Sequence, residues 1–422
     1  MGEWVQFLEN LAKFLKFIFG CVWIVGCQDM GNLTCKSIEA NTFTEIENFK
    51  SFHEGIIHSI QFLHSHAIVT GGDDQNVVVT KLNSKNNNNV PPVVLLGHTK
   101  SVNSVHVLSS SSFLSASRDL TVRLWSSTNS NSNSNSDSIS KSSPSTQFTE
   151  AGQFLGHSLT VTDVSSNEDG SVVVTGGRDY NVKFFDAATF QCISTNKISR
   201  NLVTCLDWFK AKGSNQVCQG SEDLRLRVWD IRDSEASCSI EFGRYLYFPL
   251  CADTSKCGNF IATSSKGFDG IGCEGRIWDV RSPNEPLHQL HGHQQDAVSC
   301  VYLNMDLVNN VNSPLLATCS KDETIRIWNC TTGEQVCRHY EVGSGMFTSV
   351  CTNDKGNINI YDENDNHLVA LAATTFNGEV YLFSCAGSES SSDQQQSLVS
   401  LTLVKRFENQ NCEHESRFPN QI

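Results

Sequence analysis

The sequence contains no Cys-x-x-Cys pair, although it has 17 cysteines spread from Cys21 to Cys412. Zinc sites need ligands in closely spaced pairs, and small secreted scaffolds need dense cysteines in even number. The absence of both patterns predicts reduced cysteines that serve as small apolar side chains. We therefore expect a cytoplasmic protein without a structural metal site.

Basic side chains are also scarce. Lys and Arg total 31 against 45 Asp and Glu, which leaves a net charge of −14. Nucleic acids select basic surfaces, so this charge argues against a nucleic-acid partner. No apolar run of about eighteen residues lies beyond the N-terminal region, and the longest uncharged run there, residues 17–28, is short for a membrane span.

Catalytic motifs are missing as well. The sequence has no G-x-S-x-G nucleophile elbow, no H-E-x-x-H zinc motif and no phosphate-binding P-loop. We therefore expect neither catalysis nor a cofactor. Apolar residues make up 39% of the chain, which together with 28 glycines is ordinary for a globular protein.

A repeated unit is the main feature that is present. Four segments, at 115–126, 175–186, 219–230 and 318–329, each place an Asp four residues and an aromatic ring ten residues after their start. Three weaker copies end near Thr80, Trp278 and Phe383, and the copy ending at Trp278 is five residues longer. The unit thus occurs seven times, at intervals of 44 to 60 residues.

Each unit begins with an alternating strand, often preceded by Gly-His, as at 97–98, 156–157 and 292–293. Short alternating strands recurring at this interval predict four-stranded blades. The Gly-His, turn Asp and Trp-Asp combination resembles the WD-repeat family over residues 43–407. The resemblance implies an all-β, seven-bladed propeller. The propeller is then preceded by a short amphipathic or hydrophobic N-terminal segment, 1–42, and followed by a polar tail, 408–422. A low-complexity insertion occupies 126–146 within the propeller.

The resemblance also implies a structural network that links the His of Gly-His, a Ser or Thr, the turn Asp and the Trp. Its predicted members are His98, Ser115, Asp119 and Trp125 in blade 2, His157, Thr175 and Asp179 in blade 3, Asp223 and Trp229 in blade 4, Trp278 in blade 5, and His293, Thr318, Asp322 and Trp328 in blade 6. Blade 3 ends in Phe185, which cannot donate a hydrogen bond, and blade 4 has Ser199 and Arg200 where Gly-His is expected. Two segments, 43–50 and 397–407, are alternative candidates for the strand that completes the ring.

The resemblance places the d–a and b–c loops on the top face of the propeller, with strands lettered a to d within each blade. The Ser/Asn/Gln-rich segments, which are too polar to order themselves, fall on the bottom face. These are residues 82–92, 126–146, 304–314, 353–366 and 386–396. The top face carries a single insertion, in blade 5, with Phe268 and Ile271 at its tip.

The blade 5 insertion is read either as a flexible glycine hairpin or as a shaped contact element. Basic residues lie near it in the predicted top-face loops: Arg118, Arg178, Arg200, Arg244 and Lys321. They are either ordinary solvated charges or part of a surface for an acidic patch or peptide on a partner protein. With Phe268 and Ile271 they form the predicted partner-binding set.

Three stretches, 199–208, 221–230 and 264–281, are similar to matching parts of the WD repeat-containing protein 31 family. This resemblance implies a scaffold or adaptor in ciliary trafficking and intraflagellar transport, acting as a monomer or within a hetero-complex. The alternatives are a membrane-tethered adaptor in vesicle or signalling complexes outside cilia and, more remotely, a propeller enzyme with a central channel.

The N-terminal segment leaves further alternatives. Residues 4–19 have the apolar spacing of an amphipathic helix that lies on a membrane. Alternatively, translation begins at Met30, which makes Gly31 an acceptor for myristate and Cys35 an acceptor for palmitate, although Cys35 stands where the strict motif has Ser or Thr. An inert extension is the third reading. A cleaved signal peptide fits less well because the region has as many Glu as Lys and is followed by a cytosolic cysteine pattern.

Overall fold

The computed structural model describes residues 49–408 apart from 51–52, 65–66, 83–90, 129–146, 198–200, 233–237, 304–312, 341–342, 344, 354–358, 362–365 and 389–397. Regular secondary structure in this part of the chain is entirely β-strand. Accordingly, none of the described residues forms a helix that could cross a membrane. The predicted boundaries at 42, 126–146 and 408 stay predictions, because the residues that would define them lie largely outside this part.

Each of the seven blades is a sheet whose four main strands follow one another along the chain. The sheet of blade 7 contains two further short strands, β1 and β27. The first strands are β1 (Phe49–Lys50), β2 (Ile57–His64), β3 (Ala67–Gly72), β4 (Val77–Lys81), β5 (Val93–Leu95), β6 (Val102–Ser109), β7 (Ser112–Ser117), β8 (Val122–Thr128), β9 (Gln147–Phe154), β10 (Val161–Ser166), β11 (Val172–Gly177), β12 (Asn181–Asp186) and β13 (Cys192–Lys197).

Blades 4 to 7 follow in the same way. Their strands are β14 (Val203–Trp208), β15 (Gln216–Ser221), β16 (Arg225–Asp230), β17 (Ile240–Glu241), β18 (Pro249–Thr254), β19 (Phe260–Ser265), β20 (Gly275–Asp279), β21 (His288–Leu290), β22 (Ala297–Tyr302), β23 (Leu315–Ser320), β24 (Thr324–Asn329), β25 (Gln335–Tyr340), β26 (Phe347–Thr352), β27 (Asn359–Tyr361), β28 (Asn366–Thr375), β29 (Val380–Ser388) and β30 (Leu398–Glu408).

The innermost strands β2, β6, β10, β14, β18, β22 and β26 neighbour one another in a closed ring. This arrangement confirms the predicted seven-bladed all-β propeller. The second strands, such as β3 and β23, are buried along their whole length, whereas the outer β13 is mostly exposed. Apolar residues of neighbouring blades meet between the sheets, which explains the near-continuous apolar runs of the second strands.

The fourth strand of blade 7 is β30, which pairs antiparallel with β29 from Val380↔Phe407 to Ser388↔Leu398. Within the predicted segment 397–407, β30 therefore completes the blade, and from the predicted segment 43–50 only β1 is described. It adds outside β30 in parallel, with Phe49 opposite Phe407. Part of the loop expected at 353–366 forms a short hairpin between β27 and β28, and residues 386–388 extend β29.

Candidate functional site

A chain of four side chains holds the b–c turn of blade 2. Trp125 Nε1 donates to Ser115 Oγ at 2.8 Å, and Ser115 Oγ lies 2.7 Å from His98 Nε2. His98 Nδ1 lies 2.8 Å from Asp119 Oδ2. With Nδ1 protonated, the imidazole accepts from the serine and donates to the carboxylate, so all four polar groups are used.

Blades 6 and 3 bring together the corresponding predicted residues. In blade 6 the successive distances are 2.8, 2.8 and 3.1 Å along Trp328, Thr318, His293 and Asp322. In blade 3, His157 lies 2.7 Å from Thr175 and 3.0 Å from Asp179. Phe185, which stands in place of the Trp, is buried and has no N–H group to donate. The blade 3 chain is thus one donor shorter.

Blade 1 contains a member that the sequence reasoning missed. His53 Nε2 lies 2.8 Å from Thr70 Oγ1, and His53 Nδ1 lies 2.8 Å from Asp74 Oδ1. No glycine precedes His53, so the Gly-His pattern did not reveal it. The sequence separation from His53 to Asp74 is 21 residues, the same as from His98 to Asp119, and this spacing could have found it.

Blades 4 and 5 replace the histidine chain. In blade 4, Trp229 Nε1 donates to Gln219 Oε1 at 3.2 Å, and Asp223 forms an ion pair with Arg227 at 2.7 Å instead of bonding a histidine. In blade 5, Tyr245 takes the histidine's place. Its hydroxyl accepts from Trp278 Nε1 at 2.6 Å and lies 2.7 Å from Thr263 Oγ1.

The turn carboxylates also shape the top-face loops. Asp119 Oδ1 accepts from the backbone N–H of Thr121 at 3.1 Å, which is an Asx turn. The residue that directly follows the turn aspartate has a left-handed φ of 62–75° in five blades, namely Gln75, Leu120, Tyr180, Leu224 and Glu323. Burial opposes ionisation of Asp119, but hydrogen bonds from His98 and Thr121 outweigh it and lower the pKa of this carboxyl. The aspartates of blades 1, 2, 3 and 6 therefore stabilise the b–c turns in which they lie.

The blade 5 insertion is a tight hairpin. The N–H and C=O groups of Phe268 and Ile271 exchange two hydrogen bonds of 3.0 Å around Asp269 and Gly270. Asp269 and Gly270 have φ values of 51° and 74°, as a two-residue type I′ turn requires. Residues that face each other across such a turn point their side chains to the same side. Phe268 is 76% exposed and Ile271 59% exposed, so both project outward together.

The hairpin rests on the d–a loop of blade 6. Phe268 forms a backbone bridge with Gln295, the N–H of Gly270 donates to the carbonyl of Gln294 at 3.0 Å, and the N–H of Gly267 donates to Asp296 Oδ1 at 3.0 Å. These contacts describe a shaped element rather than a flexible glycine loop.

Exposed apolar residues concentrate on the top face. Of the fourteen large apolar side chains that are exposed among the described residues, ten lie in d–a or b–c connections. They are Leu96, Leu155, Leu159, Tyr180, Leu246, Tyr247, Phe268, Ile271, Met346 and Phe376. An exposed apolar surface rimmed by polar residues is typical of a protein-interaction face.

The predicted basic residues lie on several blades of the same face. Arg178 and Arg244 are exposed, and Arg118 is exposed with its Nε 3.3 Å from Asn103 Oδ1. Lys321 is partly neutralised, because its Nζ lies 2.8 Å from Asp296 Oδ2. Arg200, like Gly31 and Cys35, lies outside the described residues.

A second polar set, which the sequence reasoning missed, lies on the innermost strands. There, side-chain oxygens of one blade accept hydrogen bonds from backbone N–H groups of the next blade. The acceptor and donor pairs are Ser59 and Val105, Gln61 and Val107, Asp163 and Leu206, Ser165 and Trp208, Asp207 and Thr254, Asp253 and Tyr302, and Ser299 and Val350. Polar residues at the third and fifth positions of these strands were the available signal.

The remaining joints of the ring are bonded too. Ser104 Oγ donates to Asp163 Oδ1 at 2.7 Å between blades 2 and 3. Thr348 Oγ1 donates to the carbonyl of Ile57 at 2.5 Å between blades 7 and 1. The innermost strands enclose a channel cavity of about 280 Å³. Burial in it raises the pKa of Asp163 to about 6, and burial likewise raises the pKa of Asp207.

The chemistry of these groups is structural. The polar residues of the blade networks and of the channel bond to one another or to backbone. Within the described ranges no three His, Cys, Asp or Glu side chains form a group suited to a metal ion. The top face can therefore offer shaped apolar and charged contacts, with the blade 5 hairpin as its most projecting part.

Three segments of the chain, 90–126, 148–186 and 284–329, match the family model of the WD domain, G-beta repeat. The chain is 28% identical over 224 residues to a ribosome biogenesis protein WDR12 homolog of Nematostella vectensis, covering 49% of this chain and 51% of that protein. It is 26% identical over 200 residues to a periodic tryptophan protein 2 homolog of Dictyostelium discoideum, covering 47% and 20%.

A third relative is protein transport protein SEC31 of Chaetomium globosum, at 28% identity over 32% of this chain and 10% of that protein. The matched regions thus span about half or less of these three relatives. Among solved structures, the WD40 β-propeller domain of Doa1 superimposes with a TM-score of 0.60 at 14% identity, covering 80% of this chain and 96% of that one. Three segments of the chain are thus similar to the WD repeat, and the fold is that of a WD40 β-propeller.

Proposed function

We propose that this protein is a non-catalytic scaffold that binds partner proteins through the top face of its propeller. The single observation that carries the proposal is the blade 5 hairpin, which holds Phe268 and Ile271 side by side in solvent at 76% and 59% exposure. Exposing both side chains opposes the burial that stabilises a fold, so contact with a partner is the role that accounts for them.

The proposed partner surface combines an apolar pocket with acidic side chains. Phe268 and Ile271 would enter the pocket, since aromatic and large apolar anchors dominate the energetics of interfaces. Arg178 and Arg244 are exposed on the same face and would steer acidic groups of the partner. Lys321 contributes less, because Asp296 already neutralises it.

The cellular setting in this proposal is the cytoplasm and ciliary trafficking, within a hetero-complex. It rests on the similarity of 199–208, 221–230 and 264–281 to the WD repeat-containing protein 31 family. The curated relatives are instead named for ribosome biogenesis and protein transport. Localisation of the tagged full-length chain in ciliated cells tests this part, and exclusion from cilia under all growth conditions would contradict it.

A membrane tether extends the proposal through Gly31 and Cys35 or through residues 4–19, all of which lie outside the described residues. Mass spectrometry of the native N-terminus distinguishes the alternatives. Myristoylated Gly31 or acylated Cys35 would support a lipid anchor, whereas an intact Met1 peptide with unmodified Gly31 would remove it.

The docking face is tested by affinity purification of the full chain with quantitative mass spectrometry. The test variant is Phe268→Ser with Ile271→Ser. The matched control is Ile193→Ser, because Ile193 is also 59% exposed but lies on the outer strand β13 of blade 3. We expect the test variant to lose co-purifying proteins by about tenfold or more, the effect of removing a hot spot, while the control retains them.

Both variants must show the circular dichroism spectrum and thermal midpoint of the parent, so that loss of partners reflects the surface and not the fold. Equal recovery of the same proteins with the test variant and the control would contradict the assignment of the blade 5 hairpin. A second variant, Arg178→Glu, measures the charged part. We expect this variant to associate with the partner more slowly than the parent does, and we expect the difference between the two rates to become smaller at high salt.

A further inference from the structure

The top face carries a second exposed apolar surface, on blades 2 and 3. It consists of the four connections 96–101, 118–121, 155–160 and 178–180, and we call it the blade 2–3 surface. Its exposed large apolar side chains are Leu96 at 77%, Leu155 at 60%, Leu159 at 50% and Tyr180 at 42%. None of these residues belongs to the hairpin of blade 5.

Hydrogen bonds hold the two connections of blade 3 against each other. Asp179 Oδ2 accepts from the backbone N–H of Ser158 at 3.0 Å, and the backbone N–H of Arg178 donates to the carbonyl of Thr160 at 2.8 Å. The d–a connection is thus bonded to the b–c turn at two points. The backbone that carries the exposed apolar side chains of blade 3 is therefore ordered before a partner binds, which lowers the entropic cost of binding.

Two arginines approach the start of β10 from different blades. Arg118 belongs to blade 2, and its Nε lies 3.3 Å from Asn103 Oδ1. The amide of Asn103 in turn donates to the carbonyl of Val161 in blade 3 at 2.7 Å, so Asn103 directs the Arg118 guanidinium towards blade 3. Arg178 lies within blade 3, and both arginines are exposed. A guanidinium from each blade is therefore available beside the same apolar surface.

The exposed charges of the blade 2–3 surface have one sign. They belong to Lys100, Arg118 and Arg178. The two carboxylates in the four connections, those of Asp119 and Asp179, pair with histidine, and their side chains are only 5% and 3% exposed. Asp73, in the adjoining turn of blade 1, bonds to a serine and a histidine. In a chain of net charge −14, a surface that presents three cations favours an acidic partner.

We propose that the blade 2–3 surface binds an acidic segment of a partner protein in which carboxylates stand on both sides of large apolar side chains. This inference rests on the proposed function, protein binding by the top face, and adds a second site with its own ligand chemistry. The apolar side chains would contact Leu155, Leu159 and Tyr180, and their burial supplies most of the affinity. The carboxylates would pair with Arg118 and Arg178, because a guanidinium offers a carboxylate two parallel hydrogen bonds.

The test measures binding of a fluorescein-labelled peptide, GEELFEEG, to the full chain by fluorescence anisotropy. The peptide GQQLFQQG keeps the apolar pair without the charges, and GEESSEEG keeps the charges without the apolar pair. The charge variant is Arg118→Glu with Arg178→Glu. Its matched control is Lys81→Glu with Lys212→Glu, which changes the net charge equally at exposed residues of the bottom face.

The apolar variant is Leu159→Ser. Its matched control is Leu287→Ser, because both leucines are 50% exposed but Leu287 lies in the c–d connection of blade 5, on the bottom face. The circular dichroism spectrum and thermal midpoint of each variant are compared with those of the parent, so that a loss of binding is assigned to the surface.

We expect saturable binding of GEELFEEG to the parent, to both controls and to the hairpin variant Phe268→Ser with Ile271→Ser. The charge variant and the two comparison peptides should each bind about tenfold more weakly or worse, because each lacks the charge-assisted hydrogen bonds or the apolar contact. Leu159→Ser should weaken binding about fivefold, since it removes part of the apolar contact.

Three results would overturn the inference. Absence of saturable binding of GEELFEEG at up to about 1 mM would show that the surface does not recognise acidic segments, even where the parent still recovers partner proteins. Equal binding of GEESSEEG would reduce the effect to a general attraction of anions. Loss of binding in the hairpin variant but not in the charge variant would place the peptide on blade 5, which would refute the second site and support the proposed function.

Discussion

The hydroxyl of Tyr245 accepts a hydrogen bond from Trp278 Nε1 at 2.6 Å and thereby occupies the position that histidine holds in blades 1, 2, 3 and 6. The phenol also lies 2.7 Å from Thr263 Oγ1, and the Arg276 guanidinium stacks on the ring at 4.4 Å. Tyr245 thus takes the place of the histidine in blade 5, the blade whose b–c connection carries the insertion.

Tyr245→Phe is expected to lower the free energy of unfolding by about 1–3 kcal/mol, because it leaves buried polar groups of Trp278 and Thr263 poorly bonded. Urea denaturation followed by tryptophan fluorescence measures this change. Tyr247→Phe serves as the control, since Tyr247 is exposed and should change stability by about 0.5 kcal/mol or less. Equal effects of the two substitutions would refute the role given to Tyr245.

Asp119→Asn is expected to destabilise the protein at neutral pH by about 1–3 kcal/mol, the usual range for a hydrogen bond to a charged group. The pKa of Asp119 is lowered from its ordinary value of 3.8. Its contribution is therefore present above pH 3.8 and is lost as pH falls below that value. The difference between parent and variant should shrink toward pH 2 in urea titrations, and a difference that is constant with pH would contradict this prediction.

Asp163→Asn tests the opposite sign. The folded-state pKa of Asp163 is raised to about 6 from 3.8, so the carboxyl stabilises the fold below pH 3.8 and loses that contribution as pH rises through 6. Relative to the variant, the parent should lose up to about 3 kcal/mol of unfolding free energy between pH 4 and 7. Asp169→Asn, at an exposed turn, should show no such slope. A parallel profile for parent and Asp163→Asn would be incompatible with a raised pKa of Asp163.

Alanine substitutions at two glycines of the blade 5 hairpin distinguish the cost of backbone strain from the cost of steric overlap. Gly270 and Gly272 have φ values of 74° and 75°, so alanine is strained equally at both, by about 1 kcal/mol. A Cβ on Gly272 would approach Tyr247 Cδ2 to 2.2 Å, whereas one on Gly270 would meet no atom closer than 3.4 Å. Gly272→Ala should therefore be less stable than Gly270→Ala by about 1–3 kcal/mol in chemical denaturation. Equal stability would show that Tyr247 moves aside freely.

The fold was predictable because its unit carries local signals at fixed offsets, and seven copies of a weak pattern reinforce one another. The Gly-His pattern does not identify the histidine of blade 1, because no glycine precedes His53. Tyr245 could not be foreseen, since a phenol replaces an imidazole here only through the geometry of Trp278 and Thr263.

The inner-strand acceptors were harder to predict for a different reason. Asp207 and Thr254 are 47 residues apart and meet only when blades 4 and 5 pack together. No local pattern distinguishes a serine or aspartate that bonds the next blade from one that faces solvent. The hairpin of blade 5 was predictable only in part. Its apolar tip follows from the sequence, but the several glycines around it are compatible with more than one turn type, and the positive φ values of Asp269 and Gly270 determine which one forms.

Every joint between neighbouring blades contains a hydrogen bond in which a side chain on an innermost strand takes part, as acceptor at most joints and as donor at the joint of blade 7 with blade 1, where Thr348 donates to Ile57. In an open solenoid the terminal repeats have one neighbour and fray first. In this ring each blade has two bonded neighbours, and opening any joint exposes both of its faces. Unfolding should therefore be cooperative over the whole propeller, and deletion of a single blade should cost the protein its entire structure rather than one repeat.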